Sequence, residues 1–375
     1  MARMLTTITV LFVAQTFLLL LHFWRNNLPS NKEEKTHLLI LSSWRSGSSV
    51  VGHIFNQHPD VFFLNEPAWH VWVSMFHNDA DMLQMSVRDV LRSVFRCEIS
   101  VFDAYIQEAR KMSNLFMWAT SRALCSLPAC DAFPRNEITN EMICKRLCAK
   151  YPFDRIEETC KSYNHLVIKE FRLFDIKVLY SLLTDYSLNL KIIHLVRDPR
   201  AIGNSREQVA WALTRDNKIV LKSTGRGVND SFSTIMSKIC QSHARMYKTV
   251  ASSSSIFLKN RYMLVRYEDV VRQPVREMRR MYEFANLKPN TKLEQWIYKI
   301  THGEGTGKKK EKYEITPRDA DKVSKAWRHI LAFKKLKLIQ DACGEAMATF
   351  GYRFMHSIEQ QRNQSMDFVL PKPQF

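Results

Sequence analysis

The chain has 375 residues, 46% of them apolar, enough to bury a large core as one α/β domain or as two smaller ones. Its 55 lysines and arginines against 37 aspartates and glutamates give a formal net charge of +18, which points to anionic partners. A luminal enzyme rarely meets nucleic acid, which favours a polyanionic nucleotide, acidic glycans or lipid headgroups.

Residues 5–24 form a mostly apolar run bracketed by Arg3 and Arg25, long enough to cross a bilayer as a helix. No small-x-small cleavage site follows it, so an uncleaved signal anchor is preferred to a signal peptide. Residues 1–4 are then a cytoplasmic tail, 25–35 a polar stem, and the rest lies in the secretory lumen as in a type II membrane protein. Two sequons, at Asn229 and Asn363, agree with that location.

The luminal domain is predicted over 36–356, with 357–375 as a tail. Thr36–Ser42 reads as a buried strand, Ser48–His58 as a helix, Val61–Leu64 as a short strand and Asp79–Phe95 as an amphipathic helix. A loop-dominated insertion follows over 97–160, holding Cys97, Cys125, Cys130, Cys144, Cys148 and Cys160. Their spacing is not the usual zinc-binding C-x2-C pair, so disulfides are favoured over a metal, with all 15 pairings open. The alternation resumes with strand Leu166–Lys169, helix Leu173–Leu183, strand Leu190–Val196, a helix from Pro199 and strand Tyr262–Arg266. Basic helices close the domain from Arg272 to about Tyr352. Such alternation predicts an α/β fold, a P-loop-like parallel sheet flanked by helices, behind an N-terminal transmembrane helix.

Two segments carry the chemistry. Ser42, Ser43, Trp44, Arg45, Ser46, Gly47, Ser48 and Ser49 join a strand to a helix, where backbone N–H groups and the helix N-terminus can cradle a phosphate. Gly47 permits the tight backbone and Arg45 supplies fixed charge. The Walker pattern and its lysine are absent, which disfavours a kinase or nucleotidase. Arg197, Asp198, Pro199, Arg200, Ala201, Ile202, Gly203, Asn204 and Ser205 follow another buried strand. Asp198 can cap a helix that begins at Pro199, and Arg197 and Ser205 can then reach one phosphate beyond the strand ends. A serine-rich N-cap and a salt-bridged turn are the plain alternatives for each segment alone.

Leu39-Ile-Leu-Ser-Ser-Trp-Arg-Ser-Gly-Ser-Ser49, Asn65-Glu-Pro-Ala-Trp-His-Val-Trp72 and His194-Leu-Val-Arg-Asp-Pro-Arg200 occur in that order. With Ser121-Arg-Ala-Leu-Cys125, Tyr262-Met-Leu-Val-Arg-Tyr-Glu-Asp269, Arg318-Asp-Ala and Ala326-Trp-Arg328, they make nearly the whole luminal chain resemble the Golgi carbohydrate 6-O-sulfotransferases acting on N-acetylglucosamine. The resemblance implies a sulfotransferase fold, Golgi residence and 3′-phosphoadenylyl sulfate (PAPS) as donor; no metal is required, since arginines and backbone dipoles can offset the phosphosulfate charge. Segment 42–49 would take its 5′-phosphosulfate end and 197–205 its 3′-phosphate. The acceptor implied is the 6-hydroxyl of N-acetylglucosamine in keratan sulfate, mucin-type or N-linked glycans, with galactose or N-acetylgalactosamine as alternatives. Gly203-Asn204 and the Lys308–Lys312 run depart from the family pattern and bear on donor affinity or acceptor preference. Monomer and homodimer are both compatible.

Glu66 is the candidate base, with Arg45 beside it and on the leaving phosphate. Its plain alternative is a structural carboxylate. Lys169 and Arg172 would face the donor or acceptor, or pair with Glu170 or Asp175; Tyr267, Glu268 and Asp269 would brace the phosphate loops. Trp69, His70 and Trp72 would stack on sugar or fill the core. A luminal glycosyltransferase is the rival enzyme, but the Asp-x-Asp triplet Asp79-Ala-Asp81 opens a helix instead of standing at a strand end. A non-catalytic glycan-binding membrane protein is the rival from another class.

Overall fold

A computed structural model describes residues 35–371 apart from 109, 223–230, 254–255 and 305–316, together with 15 and 16. Five apolar runs become strands: β1 (Thr36–Leu41), β2 (Val61–Asn65), β3 (His165–Glu170), β4 (Asn189–Val196) and β5 (Tyr262–Arg266). They pair in the order β2-β3-β1-β4-β5, every pairing parallel. Buried on both faces, these strands read as continuous apolar runs, as interior parallel strands must.

Side chains alternate between two cores. Leu39, Leu41, Phe62, Leu64, Leu166, Ile168, Leu190 and Ile192 face one, and Leu38, Ile40, Val61, Phe63, Val167, Ile193, Leu195 and Val265 the other. The helices that cover them are, in chain order, α1 (Ser48–Asn56), α2 (Trp69–Ser74), α3 (Gln84–Phe95), α4 (Glu141–Cys148), α5 (Pro199–Glu207), α6 (Thr214–Lys222), α7 (Ser231–Ala251), α8 (Tyr267–Arg272), α9 (Pro274–Phe284), α10 (Thr291–Thr301), α11 (Ala320–Lys325) and α12 (Phe333–Phe350). α1, α9 and α10 cover the second core, through Val51, Ile54, Phe55, Met278, Met281, Tyr282, Leu293 and Ile297. α3, the cysteine-rich insertion, α7 and α12 cover the first. The described residues from Lys35 onward form one unit.

All eight cysteines form disulfides: Cys97–Cys160, Cys125–Cys144, Cys130–Cys148 and Cys240–Cys343. The first three hold the insertion, which has little regular structure beyond α4, the helix Arg155–Lys161 and short 3-10 turns. The fourth, outside the predicted cluster, ties α7 to α12.

Two predicted helices differ. The one expected from Asp79 begins at Gln84, because Asp79 Oδ1 accepts from the amides of Asp81 and Met82 and holds a turn there instead. The one expected over Leu173–Leu183 is extended to Asp175 and becomes a 3-10 turn at Ile176–Leu179 before a single helical turn, Tyr180–Leu183. Its backbone has other partners: Gln84 donates to the Arg172 carbonyl and accepts from the Phe174 amide. Among the described residues no helix is long and apolar enough to cross a membrane. The predicted tail 1–4, anchor 5–24 (save 15 and 16), stem up to 34, Asn229 sequon and Lys308–Lys312 run lie outside the described residues.

Candidate functional site

From β1 the chain connects through α1 to β2 on one side of the sheet, and from β4 through α5 to β5 on the other. The crevice beyond the carboxyl ends of β1 and β4 is therefore the topological switch point, where open α/β sheets bind ligands. Both predicted phosphate segments end there. A cavity of about 580 Å³ opens at this place, lined from the first segment by Trp44, Arg45, Gly47, Ser48 and Ser49 and from the second by Arg197, Ala201, Asn204 and Ser205.

The first loop turns through two left-handed residues, Arg45 at φ 68° and Gly47 at φ 84°. Gly47 is required twice over, because a Cβ there would lie 2.2 Å from Tyr267 Cδ2. Immediately after it the open first turn of α1 presents the Ser48 and Ser49 amides. Ser42, Ser43 and Ser46 are buried beneath the loop, where the Ser46 hydroxyl and amide both donate to the Ser43 carbonyl.

Asp198 accepts from the Arg200 amide as the cap of α5, with Pro199 at its first position. The Asp198 and Arg200 side chains do not enter the cavity: they pair with each other at 2.7 Å, fully buried, and Arg200 lies over Trp327. Pro199, Ile202 and Gly203 are likewise turned inward, and a Cβ on Gly203 would meet Ile339 of α12. Glu268 accepts from the Asp198 amide and from the Tyr352 hydroxyl, bracing the second loop from α8.

The two segments are latched together. Arg45 Nε donates to Ser205 Oγ at 2.9 Å, and Arg197 Nη1 donates to the Arg45 carbonyl at 3.1 Å. Arg197 lies over the Tyr267 ring, and its buried Nε has no hydrogen-bond partner among the described residues, which leaves a donor for an anion. Burial raises the Tyr267 phenol above its ordinary value, against the pull of Arg197, Arg318 and Arg45. Arg318 also lines the cavity, which brings a third guanidinium to the same wall.

Glu66 lies on the same cavity, just after β2, in a left-handed conformation at φ 56°. Its neighbours are not the expected Arg45 but Lys169, which donates to Oε1, and Arg172, whose Nη1 stands 3.3 Å from Oε2. Register explains this, since Asn65 pairs with Lys169 across β2 and β3 and the Glu66 amide donates to the Lys169 carbonyl. Burial alone would raise the Glu66 carboxyl, but the Lys169 and Arg172 charges carry it below its ordinary value. Glu170, the other predicted partner of Arg172, pairs with it at 3.0 Å and is raised by burial. Of the three aromatics, Trp69 alone reaches the cavity, stacked on Phe116 with centroids 4.2 Å apart; Trp72 and His70 are core, and His70 accepts from the Phe116 amide.

Sequence reading did not single out Asp216, Arg206, Arg318 or Phe116 as site residues. Asp216 accepts from Trp44 Nε1 at 2.7 Å; burial brings the Arg206 guanidinium down to about 10, despite Asp216, with Arg45 adding to the fall. An Asp just after an Arg, inside an amphipathic helix, gives no local signal of a site.

The family model for the sulfotransferase domain matches residues 35–351. Carbohydrate sulfotransferase 6 of Homo sapiens is 50% identical over 370 residues, covering 98% of this chain and 94% of that one. Carbohydrate sulfotransferase 5 of Mus musculus is 50% identical over 345 residues, covering 92% and 87%. Among solved structures, the sulfotransferase domain from the Synechococcus PCC 7002 olefin synthase aligns over 84% of this chain and 96% of that one, with 17% identity and a TM-score of 0.44. A matching domain over most of the chain, and half-identity at nearly full length, establish that this protein belongs to the carbohydrate sulfotransferases of the sulfotransferase family.

Proposed function

We propose that the protein transfers the sulfuryl group of PAPS to the 6-hydroxyl of N-acetylglucosamine in glycans, by in-line displacement. One observation carries the reading. Two latched basic loops at the sheet's switch point face the Glu66–Lys169–Arg172 cluster across a single cavity of a size suited to a nucleotide and a sugar. Arg45, the Ser48 and Ser49 amides, Arg197 and Ser205 bind the donor's phosphates, with Arg318 adding charge. Glu66 accepts the proton of the sugar hydroxyl as its oxygen bonds to sulfur, while the sulfur–oxygen bond to the 5′-phosphate breaks. Arg45 and the α1 amides take up the charge that appears on that phosphate.

A carboxylate held below its ordinary pKa is a weak base, which suffices if the transition state is loose and little charge forms on the attacking oxygen, by analogy with phosphoryl transfer. The engagement of both Glu66 oxygens by cations favours one second reading, in which Glu66 only orients Lys169 toward the departing phosphate. Glu66→Gln tests the first reading, which expects product (3′-phosphoadenosine 5′-phosphate, PAP) to bind normally while turnover collapses about a hundredfold or more. Unchanged turnover removes the base assignment. The function as a whole is tested with the full chain in detergent, labelled PAPS, and glycosides of N-acetylglucosamine, galactose and N-acetylgalactosamine; transfer to none of them defeats it.

We further propose that residues 5–24 anchor the chain in the Golgi membrane with the enzyme domain luminal. The four disulfides support an oxidising compartment. Protease sensitivity of the domain in intact Golgi vesicles would count against this topology.

A further inference from the structure

Asp216, on α6, has a carboxylate in the cavity whose two oxygens are used unequally. Oδ2 accepts from Trp44 Nε1 at 2.7 Å and lies 3.7 Å from Arg172 Nη2. Oδ1 receives no hydrogen bond among the described residues, although Asp216 lines the cavity. The other Arg172 nitrogen, Nη1, meets Glu66 Oε2 at 3.3 Å and Glu170 Oε1 at 3.0 Å.

Three carboxylates therefore share one buried guanidinium, and only two can meet a substrate. Glu170 is fully buried, and its oxygens are already taken by the amides of Ala68, Phe171 and Arg172. Glu66 and Asp216 remain, on the two nitrogens of one planar group and hence no farther apart than one pyranose with its hydroxyls can span. A rigid fork fixes that spacing.

We infer that Asp216 Oδ1 accepts a hydrogen bond from a ring substituent of the acceptor sugar, orienting the ring so that its reacting hydroxyl meets Glu66. The assignment rests on the proposed function, in which Glu66 faces the acceptor. Asp216 is then an acceptor-specificity residue. Trp44 links it to the donor loop, so the two substrates are positioned from one anchored carboxylate.

Asp216→Asn tests this, because the asparagine carbonyl still accepts from Trp44 while the charge is lost. The full chain in detergent is assayed with PAPS and an aryl glycoside of N-acetylglucosamine, then with analogues lacking in turn the 2-acetamido, 3-hydroxyl and 4-hydroxyl groups. The expected result is a tenfold to hundredfold fall in kcat/KM on the complete sugar, of the size of about one hydrogen bond to a charged group, with the KM for PAPS and the melting temperature in PAP unchanged. The penalty should vanish on one analogue, and Asp216→Glu should recover part of the loss. An equal penalty on all four acceptors, no penalty on any, or a raised KM for PAPS overturns the assignment and leaves the proposed function standing. Wild-type chain that sulfates none of the sugars overturns both.

Discussion

Gly47→Ala strikes the donor loop without touching a charge. At φ 84° an alanine costs about 1–2 kcal/mol in backbone strain. Its Cβ would also lie 2.2 and 2.3 Å from two atoms of the Tyr267 ring. That ring cannot step aside, since it is buried in the second core with the Arg197 guanidinium 4.5 Å above it. Overpacking of this kind costs about 1–3 kcal/mol, and the sum is roughly 2–5 kcal/mol. Thermal unfolding and calorimetric titration with PAP would measure how the loss divides between folding and donor binding. Adding Tyr267→Ala should relieve the steric share alone, so the double variant should be better than additive by about 1–3 kcal/mol. Wild-type stability together with wild-type PAP affinity in Gly47→Ala, or strict additivity with Tyr267→Ala, would refute this account of the loop.

Arg45→Ala and Arg197→Ala should each weaken PAP binding by tenfold or more in titration, because each removes charge-assisted donors and half of the latch between the loops. Lys169→Met should move the acid limb of kcat/KM upward: Glu66 is held below its ordinary value partly by Lys169, so removing that charge lets the carboxyl protonate at higher pH. Stability should fall as pH drops from about 6.5 toward 4. His37, His70 and His243 are lowered to about 4, chiefly by burial, so the unfolded chain takes up protons first, at about 1–1.5 kcal/mol per histidine one unit below the ordinary value. A melting temperature flat across that window would contradict their burial as neutral groups. Cys240→Ser with Cys343→Ser should cost about 4–5 kcal/mol from the loop length of 103 residues, read as a fall in denaturant midpoint.

The strands were legible because interior parallel strands must be apolar on both faces, and Thr36–Leu41 or Leu190–Val196 can hardly be anything else. Arg45 and Arg197 were legible for a related reason: Arg197 directly follows such a strand and Arg45 lies in the short loop after one, so a place at the sheet's carboxyl edge is a local property of each. The Leu173–Leu183 helix failed because Phe171 and Phe174 are spaced as on a helix, yet they face Trp44 from an extended chain whose backbone is satisfied by Gln84, nearly 90 residues away. Glu66 was found but given the wrong neighbour, since its partners come from the register of β2 on β3. Asp216 escaped notice, and Arg318 was quoted only within a family motif with no site role, because tertiary packing alone brings α6 and the segment before α11 to the cavity.

The Cys240–Cys343 bond joins two helices that already pack together, but the chain between them is worth following. Between those cysteines lie Tyr267, Ile300, Arg318 and Trp327, four of the residues that line the cavity. The segment that carries them is a covalent ring closed by this bond. A single backbone cut anywhere in the ring leaves two fragments that part on a denaturing gel only after reduction. Such a nicked protein retains both fragments on one covalent molecule, whereas a cut before Cys240 separates everything upstream from this tether. The bond thus keeps this part of the cavity lining covalently attached through any single cut between the two cysteines.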